Sequence, residues 1–132
     1  MRMRLPLTLF ALFLLLVATT PEGAAAQDQI SVELVTASAV ENREPVGVSE
    51  TFTSQVGKVY AWMRVTGAAN DAIQVVWTYG SLTFNVPLEI GGSPWRTWSS
   101  KIILPQWTGE WTVEVQDAQG NTIVTTTFTI EG

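Results

Sequence analysis

The side chains best equipped for chemistry fall together in Pro94-Trp95-Arg96-Thr97-Trp98-Ser99-Ser100-Lys101, which offers hydroxyls, a guanidinium, an ammonium and indole rings. A serine beside a lysine is the composition of a nucleophile and its base. Adjacent strand residues point to opposite faces, however, so Ser100 and Lys101 diverge. The chain contains no His and no Cys. That removes Ser-His-Asp and Cys-His catalysis, ordinary zinc sites and haem attachment together. A glycosidase needs two carboxylates roughly 5–10 Å apart across a cleft, one of them with a raised pKa. Glu110 and Glu114 share one strand face and read as solvated acids instead. Asp117-Ala118-Gln119-Gly120-Asn121 gathers oxygen ligands in a tight loop, but its spacing matches no complete calcium set. A hairpin turn with glycine at positive φ accounts for it. No catalytic residue, metal or cofactor is assigned.

Recognition is the chemistry that remains. Trp95, Arg96 and Lys101, with Tyr60 or Trp107 nearby, are the candidate surface for an anionic or carbohydrate ligand, since flat aromatics plus fixed charge suit such a role. Arg43, Glu44, Trp98, Ser99 and Ser100 support this motif. A structural role competes with it: Arg96 at a sandwich rim would pair with Glu44 and stack on an aromatic ring. By strand parity Arg96, Trp98, Ser100, Ile102 and Leu104 share one face, whose apolar lower end reads as core. Trp95, Thr97, Ser99 and Lys101 take the other.

The elements that must position these residues are strands. Leu82, Phe84, Val86, Leu88 and Ile90 alternate with polar residues, which marks a half-buried strand, and Pro87 places it at an edge or bulge. Similar patterns predict strands at 30–35, 51–56, 59–66, 73–79, 96–104, 110–116 and 122–130. Gly, Asn and Asp clusters separate them, as at Gly57-Lys58 and Gly91-Gly92-Ser93-Pro94. No helix is predicted, and Ala37–Ser49 reads as a long irregular connection. Trp77 shares a face with Ile73 and Val75, and Trp111 with Val113 and Val115; with Val124, Phe128 and Ile130 they form the predicted core. Tyr60 and Trp62 lie opposite Val59, Ala61 and Met63, the mark of a central strand or an exposed aromatic patch. The expected fold is all-β, an immunoglobulin-like antiparallel sandwich of seven to eight strands, with a small closed barrel as the alternative.

Met1-Arg2-Met3-Arg4, an apolar run from Leu5 to Ala18 and the small residues ending at Ala26 have the order of a secretory signal peptide. The run is short of the roughly 20 residues a membrane span needs. Residues 1–26 are therefore expected to be a leader and residues 27–132 one exported domain, periplasmic or secreted, or held by its N-terminus if the leader is kept. Without Arg2, Arg4 and Glu22, the −5 of the whole chain becomes −6. That balance disfavours nucleic acid and anionic lipid as partners. With no cysteine, burial of apolar side chains must stabilise the domain without a disulfide.

The Trp-Arg-x-Trp-Ser-Ser-Lys element, followed by Trp107-Thr108-Gly109-Glu110-Trp111-Thr112-Val113 and Asp117–Gly120, resembles bacterial domain of unknown function 2914. The resemblance extends upstream to Asn42-Arg43-Glu44-Pro45, Lys58–Trp62 and Trp77-Thr78-Tyr79, and downstream to the strand with Phe128. It implies an exported or membrane-associated β domain and brings no activity with it. It also implies a His in many members two residues before Trp77, where this chain has Val75. The function expected is a non-catalytic binding module of the bacterial envelope, its partner an envelope protein or polysaccharide. Three other readings are a carbohydrate-binding domain with two exposed, coplanar rings, a carboxylate-dependent hydrolase, and assembly through the Thr-rich edge Thr122–Thr129.

Overall fold

The computed structural model describes residues 29–132. The expected leader lies outside the described residues. Nine strands form, β1 (Ser31–Glu41), β2 (Glu44–Val48), β3 (Thr51–Thr53), β4 (Lys58–Thr66), β5 (Asp71–Tyr79), β6 (Leu82–Ile90), β7 (Trp95–Ile102), β8 (Gly109–Gln116) and β9 (Thr122–Glu131). They make a four-stranded sheet in the order β2-β1-β4-β7 and a five-stranded sheet in the order β3-β9-β8-β5-β6. Neither closes on itself, so the architecture is a β-sandwich and not a barrel. Among the described residues no helix is long and apolar enough to cross a membrane.

In two places the strands depart from the sequence reading. The stretch Ala37–Ser49 is not an irregular connection: β1 runs on to Glu41 and turns through Asn42-Arg43 into β2, with Glu41 opposite Glu44. Its apolar residues are mostly small, so the alternation that betrays a strand is faint there. β2 is the strand that raises the expected count to nine, and β3, whose strand was expected, pairs parallel with β9 in a fold expected to be antiparallel throughout.

The core lies between the sheets. From the four-stranded sheet come Val59, Ala61, Met63 and Val65; from the five-stranded sheet come Ile73, Val75, Trp77, Trp111, Val113 and Phe128. The rings of Trp111 and Phe128 stack at 5.9 Å, and Trp77 meets Phe128 edge-on at 6.1 Å. Each ring removes a large apolar area from water, which serves a domain without disulfides. Trp77 is fully buried, yet its indole N–H is satisfied: Nε1 donates to Ser99 Oγ at 3.0 Å. That bond runs from β5 across the core to β7.

The parity expected for β7 is reversed. Trp95, Thr97, Ser99 and Lys101 stand opposite Val65, Met63, Ala61 and Val59, on the core face. Ile102, expected on the core, is 60% exposed, and Leu104 is 38% exposed. Lys101 explains the inversion: its Nζ lies 4.0 Å from the Phe84 ring centroid and 5.5 Å from that of Trp107. The ammonium meets the ring faces on the core side, where the attraction of a cation to aromatic faces and an aliphatic stem make an inward lysine tolerable.

Ser99→Ala leaves the Trp77 N–H buried without an acceptor. The expected loss is about 1–3 kcal/mol by urea denaturation, whereas Ser100→Ala, at an exposed position, is expected to stay within about 0.5 kcal/mol of the parent.

Candidate functional site

The outer face of the four-stranded sheet carries the site. Register sets its rows: Glu33, Arg64 and Arg96 lie side by side across β1, β4 and β7, then Val35, Trp62 and Trp98, then Ala37, Tyr60 and Ser100. Trp62 points away from the core yet is only 6% exposed, because the β1–β2 hairpin covers it. A cleft of about 710 Å³ opens on this face, walled by Pro45 and Val48 from β2 and by Pro94 and Trp95 at the start of β7. Arg43, Arg64, Arg96, Glu33 and Glu44 supply its charge.

The turn at the tip of the hairpin holds the wall in place. Asn42 and Arg43 have φ of 51° and 64°, the consecutive positive values that a tight two-residue hairpin loop demands. Glycine takes that conformation freely, whereas arginine does so at a cost. The contacts of Arg43 offset it. Its carbonyl accepts the Trp62 indole N–H at 3.0 Å, and its guanidinium donates to the Arg96 carbonyl at 2.7 Å. The guanidinium carbon also lies 5.7 Å from the ring centroids of both Trp95 and Trp98. Beside it, Arg96 pairs with Glu44. The ion pair expected from sequence is present; the arginine that stacks on aromatic rings is Arg43.

Trp95 is fitted closely. A side chain on Gly91 would come within 2.8 Å of its ring, so the absent Cβ there makes room for the indole. Trp95 is half-buried, touching both the core and the cleft.

The structure thus brings together Arg43, Glu44, Trp95, Arg96 and Trp98. It separates the rest. Tyr60 lies two rows along, with the Lys58 Nζ 5.9 Å from its ring. Lys101 and Trp107 meet Phe84 on the core side, and Tyr79 and Trp111 continue that aromatic group. Ser99 serves the core, and Ser100 is exposed on the outer face. Sequence reasoning missed Glu33, Trp62 and Arg64. The period-two face of β4 joined Trp62 to Arg64, but only the register with β1 and β7 places them beside Arg96.

Other features considered for chemistry have local partners. Glu114 accepts a hydrogen bond from the Thr122 hydroxyl, while Glu110 is exposed. Asp117 closes the β8–β9 turn: its carboxylate accepts the N–H groups of Asn121 and Gln119, each at 2.9 Å, and Gly120 has φ of 88°. The Asn121 backbone N–H, helped by its side-chain amide and by Gln119, holds the Asp117 carboxyl below its ordinary range. No Trp or Tyr ring is among the exposed large apolar side chains.

Residues 70–130 match the family described as protein of unknown function (DUF2914). The match bears out the resemblance over β5 to β9; Asn42–Trp62 lie outside the matched span. No curated protein matches the chain. Among solved structures, Pseudomonas fluorescens alkylpurine DNA glycosylase AlkC, bound to DNA containing an abasic site analog, is similar at 13% identity and a TM-score of 0.46. The likeness covers 78% of this chain and 30% of that one, and at this level it carries no argument.

Arg43→Ala is expected to destabilise the domain by about 1–2 kcal/mol and to raise acrylamide quenching of tryptophan as the hairpin lifts from Trp62. Arg43→Gly should show the same quenching with a smaller loss of stability, since glycine removes the strain as well as the contacts. For Asp117, whose folded pKa is lowered, the stabilisation is present above the ordinary value of about 3.9 and lost as pH falls through the lowered one. Asp117→Ala should therefore melt below the parent at pH 7, and the gap in Tm should close as the pH is taken below about 4.

Proposed function

We propose that this domain, matched over residues 70–130 to the DUF2914 family of unknown function, is a non-catalytic recognition module of the bacterial cell envelope, exported by its N-terminal leader. The observation that carries the proposal is the cleft on the outer sheet face, walled by a hairpin whose tip sits in a conformation costly for arginine. Backbone strain of this kind persists where surrounding contacts over-determine it, and it concentrates at ligand clamps. The cleft volume falls within the range of small-molecule sites, roughly 300–1,000 Å³. The absence of His and Cys and the acidic balance of the chain support binding over catalysis and an envelope protein or polysaccharide over nucleic acid. Because the Trp and Tyr rings are all at least partly covered, Trp95 among them, charge and edge contacts suit this cleft better than stacking of flat sugar rings.

Tryptophan fluorescence of the purified protein, titrated with envelope polysaccharides, peptidoglycan fragments and an envelope extract, tests the proposal. Saturable quenching is expected that weakens in Trp95→Ala and Arg96→Ala and persists in Trp107→Ala, with thermal unfolding still cooperative in each variant. Loss of the signal in Trp107→Ala alone would move the site to the other end of the sandwich. No saturable quenching by any fraction would overturn the recognition role.

A further inference from the structure

The cleft draws its cations from an acidic chain. Residues 27–132 contain five Lys and Arg, namely Arg43, Lys58, Arg64, Arg96 and Lys101, and three of the five line this one cleft. Arg64 and Arg96 stand directly opposite each other in register on β4 and β7. Like charges in that relation repel and cost stability unless something answers them. Glu44 answers Arg96. The guanidinium of Arg43 is engaged by the Arg96 carbonyl and two indole faces. Arg64 is different: it is exposed, and among the described residues it donates no side-chain hydrogen bond and makes no ion pair within 4.0 Å, although Glu33 is its register partner on β1. A guanidinium with its donors free, set in the floor of a cleft, matches the bidentate geometry of a carboxylate.

We infer that this cleft captures the C-terminal carboxylate of a peptide through Arg64, with the last apolar side chain held against Trp95, Pro45 and Val48. The inference rests on the recognition role proposed above. Two carboxylates, Glu33 and Glu44, share the cleft and oppose a doubly charged phosphate while tolerating a single negative charge. The apolar wall fixes what the charge is attached to. Val48 is 56% exposed and Trp95 is half-buried, so an aliphatic or aromatic terminal residue has surface to cover, and a free sugar acid does not exploit it. Glu33, beside Arg64, is placed to accept an N–H from the bound chain.

The test is calorimetric titration of the full chain with a pool of tetrapeptides of varied last residue, as free acids and as C-terminal amides, with methyl glucuronide and inorganic phosphate as separate arms. The acids should bind at least about tenfold more tightly than the amides, and both small anions more weakly than the acids. Arg64→Gln should bring acid and amide affinities together, and Arg64→Lys should restore part of the difference; Arg64 is exposed, so neither is expected to unfold the domain. Equal binding of acids and amides, an unchanged preference in Arg64→Gln, tighter binding of phosphate or glucuronide, or no binding of the acids would each overturn the inference. If acids and amides bind equally and Trp95→Ala weakens both, the cleft recognises peptides without reading their carboxylate, and the broader recognition role survives alone.

Discussion

One hydrogen bond across the core orders much of what lies outside it. The indole N–H of Trp77 is buried beyond reach of solvent and donates to Ser99 on the opposing sheet. A one-residue slip of β7 would turn Ser99 outward and leave that donor orphaned. The same slip would carry Arg96 and Trp98 off the outer face. The position of the Arg96–Glu44 pair, and of the indole against which Arg43 packs, is thus set from the inside. In disulfide-linked sandwiches a covalent bond ties the sheets together; here an aromatic group and one hydroxyl acceptor occupy that place.

The strands that carry large apolar residues on one face are legible in the sequence, and so are Trp77, Trp111, Val113 and Phe128 as core. Legibility fails where the side chains are small or amphipathic. Ala37 is fully buried, but an alanine gives little pattern, and the hairpin it begins reads as a connection. On β7, the exposed Ile102 and the inward Lys101 invert the apparent face, since an ammonium set against aromatic ring faces lets a lysine take a core-side position. The candidate site is half legible. Arg43, Glu44, Trp95 and Arg96 are visible as a motif, whereas Arg64 and Glu33 belong to it only through cross-strand register, which no single stretch of sequence displays.

The same features that shape the cleft also guard the sandwich along one side. Arg96 turns its carbonyl away from β4, since the register that lets Ile103 donate to Gly57 aims the backbone polar groups of the odd-numbered β7 residues at β4 and those of the even-numbered ones outward. Arg43 caps that outward carbonyl with its guanidinium. On the outer edge of the other sheet, the Ile90 carbonyl accepts from Asn70 on the β5 side, so Pro87 falls among the residues whose N–H would face outward. A proline there lacks nothing its own ladder needs and denies a donor to any incoming strand.

The parallel pairing of β3 with β9 has a consequence for how the chain comes to be folded. It joins Thr51–Thr53, near the start of the described chain, to Thr129–Glu131 at its end, and seats the Phe52 ring 5.9 Å from that of Phe128. Phe128 covers one side of both Phe52 and Trp111, so the core is complete only once the most widely separated pair of strands has met, the pairing whose loop closure costs the most chain entropy.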